Sequence, residues 1–174
     1  MEYNFTLKYQ LSDADGDHDQ LVERLGAAGC DDALVGIGTP GRLALDFTRE
    51  AASAEAAMLS ALADVKGAIP SARLIEAAPD FVGLTDVAAV IGVTRQNMHK
   101  LMASNATSFP PPVHGGSAAV WHLSDVLVWL DGRGAYQLEQ AVVDVAHTAM
   151  QVNLAKQALA LAPRIRREVR AFIG

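Results

Sequence analysis

Leu84-Thr85-Asp86-Val87-Ala88-Ala89-Val90-Ile91-Gly92-Val93-Thr94-Arg95-Gln96-Asn97-Met98-His99-Lys100-Leu101-Met102 is the stretch on which the reading of this chain turns. Thr85 can cap a first helix, and Asp86 suits its positive end. Val87, Val90 and Ile91 supply an apolar stripe, and Ala88 is small enough for a second helix to approach. Gly92 supplies the turn. Thr94 caps the second helix, whose Met98 and Leu101, with Val93 before it, face inward. A short helix, a glycine turn and a second helix make a helix-turn-helix pattern, the arrangement that lays a second helix in a major groove.

With Val93, Met98 and Leu101 inward, the outward positions are Thr94, Arg95, Gln96, His99 and Lys100, with Asn97 at the margin. Arg reads guanine, and Gln or Asn reads adenine, by paired hydrogen bonds at the major-groove edge. Lys100, Thr94 and the helix N-terminus suit phosphates. An ordinary solvated helix face is the alternative. Four base or phosphate readers with no acid among them, on a chain with surplus acid, favour double-stranded DNA as the partner.

Phe109-Pro110-Pro111-Pro112-Val113-His114-Gly115-Gly116-Ser117-Ala118-Ala119-Val120-Trp121 then reads as strand, glycine turn, strand. Ser124 caps a helix through Asp125-Val126-Leu127-Val128-Trp129-Leu130, which stops at Asp131-Gly132. On Gly92-Val93-Thr94-Arg95-Gln96, Phe109-Pro110-x-Pro112, Trp121 and Asp125-Val126-x-x-Trp129-Leu130, residues 81–130 resemble the winged helix-turn-helix of the MerR superfamily, and most its AlpA/excisionase-like branch. The resemblance implies that the helix from Thr94 enters the major groove. It also implies that the hairpin at His114, Gly115 and Gly116 is a wing along the backbone. His114 and His122 stand where a strong phosphate clamp has Arg or Lys, and histidine is mostly uncharged at neutral pH. As a metal pair they are too few without nearby Cys or acids.

Upstream, Tyr3, Phe5, Leu7, Tyr9 and Leu11 alternate with Asn4, Thr6, Lys8 and Gln10, the period of a strand with one buried face. A helix fits His18 to Ala28, with Gly29 as its stop. Strands are predicted over 33–38 and 42–48 around Thr39-Pro40-Gly41, where Pro-Gly suits the centre of a type II turn. A helix over Ala52–Lys66 and a short strand over Arg73–Ala77 follow. The order βαββαβ resembles a ferredoxin-like sandwich. Gly36-Ile37-Gly38-Thr39-Pro40-Gly41 matches the letters GxGxxG, but a strand, not a phosphate-binding helix, follows it. Asp13, Asp15, Asp17 and Asp19 resemble the start of a calcium loop. The glycine at 16 and the missing Glu at the twelfth position favour a solvated loop. The polar face of the first strand has no aromatic platform for RNA bases. A protein-contact or small-ligand sensing role fits this segment better.

Downstream, Leu138, Val142, Val145, Ala149 and Val152 step by 4, 3, 4 and 3 in a helix expected from Ala135 to Ala162. That is a coiled-coil seam, and it predicts a homodimer. Packing against the N-terminal segment is the alternative. Pro163 can open a last helix with Ile165, Val169 and Phe172 or Ile173 apolar, and with Arg164, Arg166, Arg167 and Arg170.

Charge divides the chain. Residues 1–80 hold 6 Lys/Arg against 14 Asp/Glu, residues 81–134 hold 3 against 3, and residues 135–174 hold 5 against 3. The boundaries are therefore set at 1–79, 80–134 and 135–174, in an α+β chain. A net charge of −6 argues against bulk electrostatic coating of nucleic acid. With 51% hydrophobic residues the chain is not of a disordered class. A single cysteine, Cys30, excludes an intrachain disulfide framework. No signal-like start and no membrane-length apolar run are found, so a cytoplasmic, nucleoid-associated setting is expected. No nucleophile–base pair, metal cluster or cofactor loop stands in a supporting context, so neither an enzyme nor a cofactor is expected. The reading is a dimeric, sequence-specific transcriptional regulator with a partner- or ligand-sensing N-terminal part. An antitoxin that neutralises a partner and autoregulates its operon, or an excisionase-like architectural factor, are the rivals.

Overall fold

Strict alternation makes β1 (Glu2–Gln10) a strand with Tyr3, Phe5, Leu7 and Tyr9 buried. It lies at the centre of a four-stranded antiparallel sheet of order β2-β3-β1-β4 in the computed structural model, which describes residues 1–12, 15 and 17–173. The other strands are β2 (Ala33–Gly36), β3 (Arg42–Glu50) and β4 (Arg73–Ala78). Pairing opposite β3 sets Phe5 against Phe47, Leu7 against Leu45 and Tyr9 against Leu43, so the large apolar side chains fall on one face. Phe5 and Phe47 stack with centroids 5.2 Å apart. On the opposite face, Thr6 donates to Asp46 at 2.6 Å and Lys8 to Glu76 at 2.9 Å. Between β2 and β3, Gly41 has φ +72°, and the Arg42 N–H donates to the Thr39 carbonyl at 3.0 Å. This is the Pro40-Gly41 turn, in which the left-handed position needs glycine.

Two helices cover the apolar face, α1 (His18–Ala27) and α2 (Ala54–Ala68). The Ser53 hydroxyl caps α2 by accepting from Ala56 N–H at 3.1 Å. Arg49 interrupts the apolar face at the end of β3. It grips Asp32 through two nitrogens, at 2.7 and 2.9 Å, and Asp64 at 2.7 Å, tying β3 to α2 and to the start of β2. Of the acidic run at 13–19, Asp13 and Gly16 lie outside the described residues, and with them the glycine that weighed against a calcium loop. Asp15 accepts from the Ser12 backbone and hydroxyl and from Ser71, and these hydrogen bonds, Ser71 foremost, hold its carboxyl below the usual range.

The second half has a two-stranded sheet, β5 (Phe81–Val82) with β6 (Trp121–His122), and the helices α3 (Leu84–Val90), α4 (Arg95–Ser104) and α5 (Leu123–Asp131). Two C-terminal helices follow, α6 (Gln140–Ala158) and α7 (Pro163–Ile173), making seven helices among the described residues. No described helix is long and apolar enough to cross a membrane.

α6 packs the stripe read as a dimer seam against its own chain. Val145 and Ala149 are buried in the sheet core, and Val152 packs against that core. Leu138 and Val142 pack against the second core, in which Ala146 is buried. α6 thus lies against α2, α5, β1 and β4, and its seam is satisfied within one chain. The physical reason is area: the helices on the sheet leave β1 and β4 partly bare, and the Val/Ala stripe of α6 is narrow enough to seat there. α6 starts at Gln140 and packs on both cores.

Candidate nucleic-acid interface

Local sequence sets the geometry of residues 83–104. α3 begins two residues earlier than a Thr85 cap requires. The Gly83 N–H donates to the Asp86 carboxylate at 2.8 Å, so Asp86 is the capping side chain and Thr85 is exposed in the first turn. Val87 and Ala88 are buried, whereas Val90, read as part of the stripe, is exposed. Ala88 lets the chain return: the Val93 N–H donates to the Ala88 carbonyl at 2.9 Å. Gly92, at φ +71°, makes that reversal possible. The Thr94 hydroxyl then accepts from the Asn97 N–H at 3.1 Å and caps α4.

The capped helix sorts its side chains as its period requires. Met98 is fully buried, and Val93 and Leu101 pack on the same core. Thr94, Arg95, Gln96, Asn97, His99 and Lys100 are all exposed. No acid stands in the first turn of α4, so its free N–H groups meet no competing carboxylate from within the helix.

The segment 109–122 forms less strand than its sequence suggests. His114 pairs with Val120 as a single bridge, and β6 pairs with β5 instead of with residues 109–113. Three consecutive prolines explain this, since Pro110, Pro111 and Pro112 cannot donate to a ladder. Side chains hold the segment instead. The Trp121 indole donates to the Pro110 carbonyl at 3.0 Å, and Phe109 meets Trp121 and Trp129 edge-on at 6.0 and 5.0 Å. His114, Gly115 and Gly116 are exposed at the tip. Arg95 and His99 of α4 share one cleft of about 400 Å³ with Thr85 and with Gly116 and Ser117 of the tip. Thr85 and Ser117 were not among the sequence-read candidates, because small hydroxyl residues give no signal until two segments meet.

His122 does not belong to the tip. Its Nδ1 lies 2.6 Å from an Asp80 oxygen, and Asp80 is buried. Asn153 of α6 donates to the other Asp80 oxygen at 2.7 Å, donates to the Ala77 carbonyl at 2.8 Å and accepts from the Ala77 N–H at 2.9 Å. One buried cluster therefore pins β4, β6 and α6 together. No group of three or more metal-type ligands occurs among the described residues.

Comparison with family models, with curated proteins and with solved structures yields no match to this chain.

Proposed function

We propose that this chain is a sequence-specific DNA-binding transcriptional regulator whose α4 lies in the major groove. The carrying observation is that Thr94, Arg95, Gln96, Asn97, His99 and Lys100 share the exposed side of one capped helix, beside the bare hairpin tip at Gly116. On this reading residues 81–130 act as a winged helix-turn-helix, with Arg95 and Gln96 at base edges and Lys100 on phosphate. The neutral tip makes the backbone grip of the wing weak, so base contacts supply an unusual share of the affinity. The βαββαβ order with strands arranged β2-β3-β1-β4 supports a ferredoxin-like N-terminal unit. We assign that unit a partner- or ligand-sensing role in the nucleoid.

The test is a selection of bound sequences from a random duplex pool, followed by titrations on the preferred and scrambled duplexes at two salt concentrations. Arg95→Ala is expected to weaken the preferred duplex by about 1–3 kcal/mol and relax one base position. Lys100→Ala is expected to weaken all duplexes and reduce the salt slope by about one. Wild-type binding by both variants sinks the proposal.

A further inference from the structure

The pairing of β1 with β4 is irregular near its end. Lys8 pairs with Glu76 and Tyr9 with Leu74, so Ile75 lies between the two pairs. A bulge of this kind bends its strand and re-aims the side chains beside it. Tyr9 stands there on the apolar face, 4% exposed. Its hydroxyl is buried with no hydrogen-bonding partner, alone among the buried side-chain nitrogens and oxygens of the described residues. An unpaired buried hydroxyl costs stability, and phenylalanine packs in such a place without that cost. Phe5 and Phe47 do so farther along the same face.

Tyr9 also lines a cavity of about 240 Å³ between the last turns of α2 and the start of β4. Leu62, Val65, Ile69 and Leu74 make its wall apolar, and Lys66 is its one charged lining residue. Lys66 is exposed, and its ammonium donates to the Pro70 carbonyl, which leaves further N–H groups to offer. Apolar walls with a few placed polar groups are the makeup of a small-ligand site. The volume suits a compact molecule, below the roughly 300–1,000 Å³ of drug-sized sites.

We propose that this cavity binds a small monocarboxylate with a compact apolar body, the Tyr9 hydroxyl donating to a carboxylate oxygen and Lys66 neutralising the charge. The apolar body takes the Leu62, Val65 and Leu74 wall out of water. The carboxylate gives the hydroxyl the partner that the fold does not, which accounts for tyrosine in place of phenylalanine at the bulge. Lys66 repels a cationic ligand, and a purely apolar one leaves the hydroxyl unpaired. The inference rests on the ligand-sensing reading of the N-terminal unit and is independent of α4.

The test titrates the full chain, without DNA, with benzoate, benzyl alcohol and benzylammonium, followed by amide NMR shifts. Benzoate is expected to bind saturably, with a Kd of about 1 mM or below for so small a ligand. The shifts are expected at Tyr9 and over residues 62–74. Benzyl alcohol should bind about tenfold or more weakly, since it lacks the charge-assisted contact, and benzylammonium should not bind. Tyr9→Phe is expected to leave the urea midpoint of the free chain unchanged or raised, and to weaken benzoate about tenfold. Lys66→Gln is expected to weaken benzoate and leave benzyl alcohol unaffected. Absence of saturable benzoate binding, or shifts confined to other parts of the chain, overturns the proposal and leaves the N-terminal unit to a protein partner. Unaltered benzoate binding by Tyr9→Phe overturns it too, while leaving the unit a small-ligand binder. A Tyr9→Phe chain that unfolds more easily than wild type shows a hydroxyl partnered within the fold, and that also overturns it.

Discussion

α6 and α7 are neighbours in sequence and opposite in use. α6 puts Val145 and Ala149 into the sheet core and Ala146 into the core of the second half, and its Asn153 closes the buried cluster at Asp80. α7 buries nothing. The difference lies in side-chain bulk and charge. Ala and Val let a helix sit close to two surfaces at once, while arginines flanking Ile165 and Val169 would leave guanidinium groups without water or partners in such a position. A repeating apolar stripe says that a face will be covered; the residues beside it restrict by what.

The sharpest way to break this contrast is a charge in each stripe. Val145→Asp forces an unpaired carboxylate into the sheet core and should cost on the order of 4 kcal/mol or more in urea unfolding. Phe172→Asp in dilute, single-chain solution should change stability by no more than about 0.5 kcal/mol. Equal losses would mean that α7 is part of the core after all. Next comes Asn153→Ala, which strands an Asp80 oxygen and both backbone groups of Ala77, at about 3 kcal/mol. A loss below about 1 kcal/mol would show that α6 is held by its apolar stripe alone.

A smaller effect concerns α4. Thr94→Ala removes a cap and should cost about 1 kcal/mol in thermal or urea unfolding. On the proposed function it also weakens DNA binding more than stability, because the first turn of α4 is the part that reaches the bases. The smallest effect is a pH dependence of the sheet core. Burial, then the nearby Asp64 carboxylate, pushes the Cys30 thiol from its ordinary 9.0 up to about 11. The folded chain keeps that proton where the unfolded chain loses it, so stability declines as pH rises from 9 toward 11. Burial raises the Tyr9 phenol too, adding a decline of the same sign at higher pH. Urea midpoints at pH 8 and pH 10.5 check the sign, and a higher midpoint at pH 10.5 would contradict it.

Much of this was legible from residues alone. The alternation Tyr3–Leu11 gave its strand to within a residue, and Pro40-Gly41 its turn, because both signals are local steric facts. The exposed face of α4 followed from Met98 and Leu101 by helical period. The candidate site was less complete. Thr85 and Ser117 join Arg95 only because α3 and the hairpin tip come together, and His122 left the tip because Asp80, 42 residues earlier, captured it. The strand expected over 109–113 did not form, since Pro110–Pro112 have no N–H to give.

The sequence by itself determined which faces are apolar, where the turns fall, and that the face from Thr94 to Lys100 bears donors without acids, since each depends on the residue and its near neighbours. Only the tertiary structure decided what each apolar face meets. The stripe Leu138–Val142–Val145–Ala149–Val152 suits a second helix and a half-bare sheet equally well, because hydrophobic burial is non-directional. β1, more than a hundred residues away, claimed Val145 and Ala149, whereas α7, next in sequence, buries none of its residues.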